Sequence, residues 1–410
     1  MRRVLIADRG PIAARIARAC ADSGLTSIAV YADADFDARH VRLADEAYAV
    51  PGATPARSYL SGDGIIAAAR AARADAVHPG SGGLADSADF ARAVRAAGFT
   101  WLGRPPEFVD RAPTPGRGSP RSRRIEVPVL ADPYGTVVAL GTRDASVQRR
   151  GGSLIDEAPA PALGAELERE LRAAAVAAYT ARGPVGRGLS GPGLINGASV
   201  AFRLDADGTP SLLDVSFRLT PAHAATEETT GIDLVVAGLR VGSGARLDPA
   251  LAEQRPRGHA ITFRISAEDP GRGFLPAAGV VRGVAPPGGP GVRLDSGIEA
   301  GSAVPGFDPL LATLTVWGPD RPAALARARR ALGEFDVAGV PTVLSFHRAV
   351  LDQPAFAESE RYRVHESWLE TEFAAPLPDF PAGREPDADI GRTPILIDGR
   401  PGTLGLPGPR

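Results

Sequence analysis

Chemistry in this chain must come from arginine, histidine and carboxylate side chains. None of the 410 residues is lysine, so all 46 residues counted as Lys+Arg are arginine. That removes a Schiff base, a phosphate-loop lysine and a lysine carrying a prosthetic group. The one cysteine, Cys20, can form neither an intrachain disulfide nor a multi-cysteine metal site. It falls four residues after Ile16, itself four after Ile12, so a packing role on one helical face is expected. Gly188-Leu189-Ser190-Gly191-Pro192 fails the G-x-S-x-G nucleophile pattern at its last position, and Leu189–Asn196 reads as a surface loop. What remains is a small set. Asp8-Arg9-Gly10 and His78-Pro79-Gly80 each come after an apolar run. Arg218 and His223 share "SFRLTPAHAATEE", Arg293 lies in "GVRLDS", and Gln148 and Glu157 lie in "VQRRGGSLIDEAPAP". Asp214 stands on the second arm of a hairpin pattern around Asp207-Gly208.

The elements that must position these residues are set by periodicity. Over the first hundred residues short apolar runs alternate with helical patterns: "PIAARIARACADSG" closing at Gly24, "TSIAVYA", "IIAAARAARA" leading into "DAVH", and "SADFARAVRAAG" leading into "FTWLG". This βαβα rhythm predicts a doubly wound parallel sheet, with ligands beyond the carboxyl ends of its strands. No GxGxxG comes after the first strand, so a dinucleotide fingerprint is missing. Residues 104–123 are rich in Pro, Gly and Arg and read as a linker. From Ile125 the pattern turns to strands, "IEVPVLAD" and "VVALGTRD" around "DPYG". A helix is expected over Glu166–Tyr179 and another from an Asp320 cap to about Leu332. After Phe373 the chain becomes Pro/Gly-rich, with "PILID" as one short strand. The formal net charge of −2 favours neither nucleic acid nor an anionic membrane. No apolar run suits a signal peptide or a membrane span, so a cytoplasmic protein is expected.

On these motifs the chain resembles the biotin carboxylase component of biotin-dependent carboxylases, most of all the carboxylase half of acyl-CoA carboxylase α-chains. The likeness is carried by "VLIADRGPIAARIARAC", "DAVHPGSGGLADSADFA", "RRIEVPVLADPYG", "TRDASVQRR", "DEAPAP", "TEETTGIDLV", "RGHAITFRISAEDPGRGFLPAAG" and "HESWLETEF". It implies an α/β chain: an N-terminal doubly wound sheet (residues 1–111), a linker replacing the ATP-grasp lid (112–123), a truncated ATP-grasp-like α+β core (124–240), a biotin carboxylase C-terminal domain (241–373) and a tail (374–410). It implies a ligase that uses ATP, Mg²⁺ and bicarbonate to carboxylate biotin on a carrier. Such chemistry needs cations around the triphosphate, carboxylates on the metal and a preorganised anion pocket.

Carried over residue by residue, the resemblance is incomplete. Arg218 matches a bicarbonate-pocket arginine and Arg293 the arginine expected to stabilise the biotin enolate. Gln148 and His223 match nucleotide and bicarbonate positions. The two metal carboxylates fall at Ala201 and Asp214, which leaves Asp214 alone, and Ser216 replaces a neighbouring Asn. The general base falls at Ala222, the bicarbonate lysine at Ser153, its histidine neighbour at Gly151, and the "HPGYG" tyrosine at Ser81. Arg124 and Pro128 replace a His and a Gln of the nucleotide strand. Each lost electrostatic contact typically costs ~10²–10³ in rate, so the expectation is an inactive homologue that needs none of the family's cofactors. It would dimerise or dock on other carboxylase subunits as a regulatory or scaffolding partner. Two other readings stay open at this point. One is an active carboxylase in which Arg121–Arg124 cover the phosphates and Asp214 holds Mg²⁺. The other is a binding module in which Arg218, Arg293 and His223 gather a small anion.

Overall fold

The computed structural model describes residues 1–52, 54–107, 121–182, 197–305, 308–359, 362–378, 380, 391–397 and 400–406. Residues 112–120 of the expected linker and the expected loop Leu189–Asn196 lie outside these. The N-terminal sheet is parallel, with strand order β3-β2-β1-β4-β5. Its strands are β1 Arg3–Ile6, β2 Thr26–Tyr31, β3 Glu46–Ala49, β4 Ala76–His78 and β5 Thr100–Trp101. The connecting helices are α1 Gly10–Asp22, α2 Arg39–Leu43, α3 Gly62–Ala71 and α4 Ala88–Ala96. Ile12, Ile16 and Cys20 are buried on one face of α1, as their spacing predicts. Gly24 takes a positive φ of 68° just past that helix, the conformation a glycine stop supplies.

A second, nine-stranded antiparallel sheet comes next. It contains β6 Arg123–Ala131, β7 Val137–Ala139, β8 Arg143–Arg149, β9 Gly152–Ala158, β10 Ala198–Leu204, β11 Pro210–Ser216 and β12 His259–Ser266. Its order is β11-β10-β6-β8-β9-β12, then Leu310–Gly318 and Val292–Ser296, with β7 beside β6. Four further helices pack on it: α5 Ala165–Arg182, longer at both ends than Glu166–Tyr179, then α6 His223–Thr230, α7 Leu234–Gly242 and α8 Arg321–Glu334. Asp320 caps α8 by accepting the Ala323 N–H at 2.8 Å. The tail strand is Gly391–Ile397, paired with Arg400–Leu406, a partner that its composition did not announce.

The domain boundaries read from sequence are not seams in the packing. β9 hydrogen-bonds β12, so one sheet runs from the ATP-grasp-like part into the C-terminal part. One apolar core joins Ile12, Ile16 and Cys20 of α1 to Leu130, Val138 and Leu239. Another joins Val147 and Ile155 to Phe263, Leu314 and Leu332. β5 ends at Trp101 and β6 begins at Arg123.

Candidate active site

The carboxyl ends of β1 and β4 come together where the sheet's order reverses, as expected for a ligand-facing edge. Asp8 accepts the N–H groups of Ser81 at 2.6 Å and Arg9 at 2.8 Å. A Cβ on Gly80 would lie 2.0 Å from an Asp8 carboxylate oxygen, so only glycine fits. Burial pushes Asp8 up to about 6 against the pull of those two amides. His78 accepts the Gly80 N–H on Nδ1 at 2.9 Å, and burial holds its pKa down to about 4, so it is neutral.

Arg218 leaves the end of β11 and reaches back to this edge. It donates to Asp86 at 2.5 Å and to the Ser81 carbonyl at 3.4 Å. His223 begins α6 and is buried. Its Nδ1 pairs with the Thr220 carbonyl at 2.8 Å, and its Nε2 lies 3.7 Å from Glu227. Burial keeps it below the usual histidine range, against the attraction of Glu227. Arg293 points to the same glutamate from the strand Val292–Ser296. It donates to Glu227 at 2.7 Å, Glu228 at 3.3 Å and Asp295 at 2.8 Å. The far side of Glu227 is taken by Arg15 at 3.1 Å. Arg293 and His223 therefore converge on Glu227, while Arg218 faces Asp86.

Gln148 lies elsewhere. Its side chain donates to Glu366 at 3.2 Å, and Arg203 donates to the other oxygen of that carboxylate at 3.4 Å. Gln148 and His223 share no partner. The arginines beside the linker are engaged within the chain as well. Arg121 pairs with Glu372 at 3.1 Å, Arg123 with Asp144 at 2.8 Å and Arg124 with Glu126 at 3.0 Å. Glu126 also receives Arg143 and the Ser199 hydroxyl, both at 2.9 Å. Burial would raise its pKa, but Arg143 and Arg124 outweigh that and hold it at about 2. Ser153 donates to Asp156 at 2.8 Å. Burial and the nearby Glu126 charge push Asp156 up to about 6.

The expected metal positions do face each other: Ala201 of β10 is in register with Asp214 of β11. Only one of the two is a carboxylate. Asp214 is exposed, and it accepts the N–H of the next residue, Val215, at 2.7 Å. Among the described residues no group of three or more His, Cys, Asp or Glu could hold a metal ion. Two carboxylates flank Ala201, Asp214 on β11 and Glu126 on β6, but Glu126 is held by Arg124 and Arg143. Arg121, Arg123, Arg124, Arg218 and Arg293 are each paired with an acid. Sequence reasoning found the retained arginines and missed their counterions. Asp86 and Glu366 lie inside family-like motifs, but nothing in their spacing ties them to Arg218 or Gln148.

A doubly wound parallel sheet joined to an antiparallel sheet of this kind, with a cleft between them, is the architecture of the ATP-grasp superfamily. The chain belongs to the biotin carboxylase family. Family models match as "Biotin carboxylase, N-terminal domain" over residues 1–109, "Carbamoyl-phosphate synthase L chain, ATP binding domain" over 118–250, and "Biotin carboxylase C-terminal domain" over 262–371. The biotin-dependent acyl-coenzyme A carboxylase alpha3 subunit of Mycobacterium leprae is 38% identical, covering 99% of this chain and 81% of that one. That alignment is 494 positions long, more than the 410 residues of this chain, so part of the relative has no counterpart here. A biotin carboxylase of Nostoc is 34% identical over 87% of this chain and 96% of its own length. Among solved structures, a multifunctional pyruvate carboxylase from Rhizobium etli superposes with a TM-score of 0.83 at 31% identity over 91% of this chain. This chain spans 36% of that enzyme. Among the described residues no helix is long and apolar enough to cross a membrane.

Proposed function

We propose that this protein is a biotin carboxylase homologue without carboxylase activity, acting as a regulatory or scaffolding partner of an acyl-CoA carboxylase. The observation that carries the reading is Ala201, where the resemblance places a metal carboxylate: of the two acids beside it, Asp214 is exposed and Glu126 is held by Arg124 and Arg143. Three further features support it. Ala222 offers no base, and Ser153 offers a hydroxyl already given to Asp156. Arg218, Arg293 and Arg124 are each paired with acids of the chain, so none of these three offers phosphate or a small anion a spare positive charge. The cores shared between the parts of the chain are apolar and buried, so the scaffold is kept. The partner is inferred from the M. leprae relative, which is a subunit of a biotin-dependent acyl-coenzyme A carboxylase by name. ATP, Mg²⁺ and biotin are on this reading not cofactors of the chain.

The test has two arms. ATP cleavage is measured with bicarbonate, Mg²⁺ and free biotin, and MgATP binding is followed by calorimetry; no turnover and no saturable heat are expected. The chain is also co-expressed with acyl-CoA carboxylase α and β subunits and sized by chromatography, where co-elution is expected. Bicarbonate-dependent ATP cleavage would falsify the first half of the proposal. A chain that elutes alone beside every subunit tried would remove the second.

A further inference from the structure

The turn between β8 and β9 is two residues long, Arg150-Gly151, and both take a positive φ, 51° and 78°. A two-residue turn of that kind suits Asn, Asp or Gly at its first position; here an exposed arginine holds it. Beside it, Arg149 lays its guanidinium over the Phe274 ring, 4.7 Å from the centroid. That ring is buried and packs edge-on against Phe346 at 5.2 Å, so it is a fixed platform. Phe274 also has a positive φ, 59°. Arg150 and Phe274 are thus two of the four non-glycine residues with positive φ among the described residues, and they meet through one stacking contact. Such backbone is costly and gathers where a surface holds a ligand or partner.

The charges there are not spent within the chain. Neither Arg149 nor Arg150 has an acidic partner among the described residues, whereas Arg123, Arg124, Arg143 and Arg203 of β6, β8 and β10 each hold one. Past the Phe274 ring the chain turns apolar and comes to the surface. Leu275 is 57% exposed and Val280 54% exposed, and Pro276 and Ala278 between them are exposed as well. One exposed leucine is ordinary, but a run of apolar residues beside unpaired cations marks a surface for contact. Glu268 and Asp269 stand opposite Pro276 and Leu275 in register. Asp269 is buried and faces Arg272 at 3.7 Å, and Glu268 accepts the Ser266 hydroxyl. Three guanidiniums against these two acids leave the locus positive.

We propose that the β8–β9 turn and the Leu275–Val280 stretch form a docking surface for an acidic segment of a partner protein, one with an apolar side chain set among its carboxylates. Arg149, held flat on Phe274, and Arg150 take the carboxylates, and Leu275 takes the apolar side chain. A free phosphate would leave Leu275 and Val280 in water, so a protein segment fits the surface better. The inference rests on the docking half of the proposed function and names the chemistry of the partner's side. Its test contains no carboxylase subunit, so the two can fail separately: co-elution without peptide binding would place the docking elsewhere on the chain.

The test is fluorescence anisotropy of a labelled peptide of glutamates flanking a central leucine, titrated with the whole protein at low salt. The same peptide with glutamine for glutamate, and with glycine for leucine, are the controls, and inorganic phosphate is the competitor. Saturable binding in the millimolar range or tighter is expected for the acidic leucine peptide. None is expected for the glutamine peptide, and the glycine peptide should bind about threefold more weakly. Arg150→Glu should weaken binding about tenfold or more, and Leu275→Ser about threefold. Both side chains are exposed, so these variants should fold, which circular dichroism checks. Absence of saturable binding overturns the inference, and so does equal binding by either control peptide or by either variant. Full displacement by millimolar phosphate would show a small-anion site and overturn it as well.

Discussion

Asp156 shows, at the level of one residue, the cost of burying a carboxyl group near a second carboxylate, Glu126. It is buried beneath Ser153, where the family resemblance places a lysine, and its pKa is pushed from 3.8 up to about 6. A carboxyl group whose folded value lies above its unfolded value binds more protons folded than unfolded. Its contribution is fully present below about pH 4 and is lost as pH rises through about 6. The difference corresponds to on the order of 2–3 kcal/mol. Asp156→Asn keeps the acceptor for Ser153 and cannot ionise. It should therefore melt above the wild type at pH 8 and together with it at pH 4, by thermal unfolding monitored in both buffers. A variant that melts at or below the wild type at pH 8 would show that Asp156 is not strained by its charge. Asp8, also raised to about 6, should leave a residual slope of the same sign in the variant. None of this was legible in the sequence. The resemblance places a lysine at Ser153 and Asp156 is three residues along the same strand, but the burial of Asp156 and its closeness to Glu126 of β6 depend on how the large sheet assembles. The side-chain partners were hidden because they are distant in the chain: Asp86, the counterion of Arg218, lies 132 residues away, and Glu366, the hydrogen-bond acceptor of Gln148, lies 218 away.

At the level of elements, one residue shared with the family, Glu157, joins a helix and two strands. Glu157, in the "DEAPAP" motif, sits on β9 and is almost fully buried. It receives Arg321 of α8 at 2.8 and 3.0 Å and His259 of β12 at 2.8 Å. Burial would raise its pKa, but Arg321 and His259 reverse that and hold it at about 2. One carboxylate thus ties a helix and two strands across the middle of the large sheet. Glu157→Ala leaves the Arg321 guanidinium buried without its main partner, which should cost about 3–5 kcal/mol. Glu157→Leu combined with Arg321→Met removes both charges and should recover most of that loss. Urea unfolding of the three proteins decides it. A double variant no more stable than Glu157→Ala would mean that the pair contributes geometry that apolar packing cannot replace. Elements were the easiest level to read. The spacing of Ile12, Ile16 and Cys20, the Asp320 cap and the Asp207-Gly208 turn are local patterns, and local patterns survive in a linear string. Strand neighbours such as β9 and β12 are not local, so the continuity of the large sheet was invisible.

The whole molecule is stitched together through α1. Its inner face buries Ile12, Ile16 and Cys20 against Leu130, Val138 and Leu239, which belong to the ATP-grasp-like part. Its polar side sends Arg15 to Glu227 at 3.1 Å and Asp233 at 2.6 Å. Arg9, just before the helix, reaches Asp308 in the C-terminal part at 2.6 Å. The sequence divides the chain into an N-terminal domain, a remnant core and a C-terminal domain, and such units could in principle melt separately. The shared cores and the sheet that crosses from β9 to β12 argue against it, because no part can lose its packing without uncovering a neighbour. Ile16 is the most direct probe. It is fully buried in the core that spans the boundary. Ile16→Ala should cost about 2–5 kcal/mol through lost transfer energy and the cavity left behind. In a molecule of independent domains the variant would lower one calorimetric transition and leave the others in place. In this one, the wild type should show a single transition and Ile16→Ala should move it as a whole. Tryptophan fluorescence, which sums Trp101 of the N-terminal sheet with Trp317 and Trp368 of the C-terminal part, should then give the same single midpoint as circular dichroism. Two separated transitions in the variant, one at the wild-type temperature, would show that the N-terminal domain can detach. The inherited scaffold would then be a set of linked units and not one body.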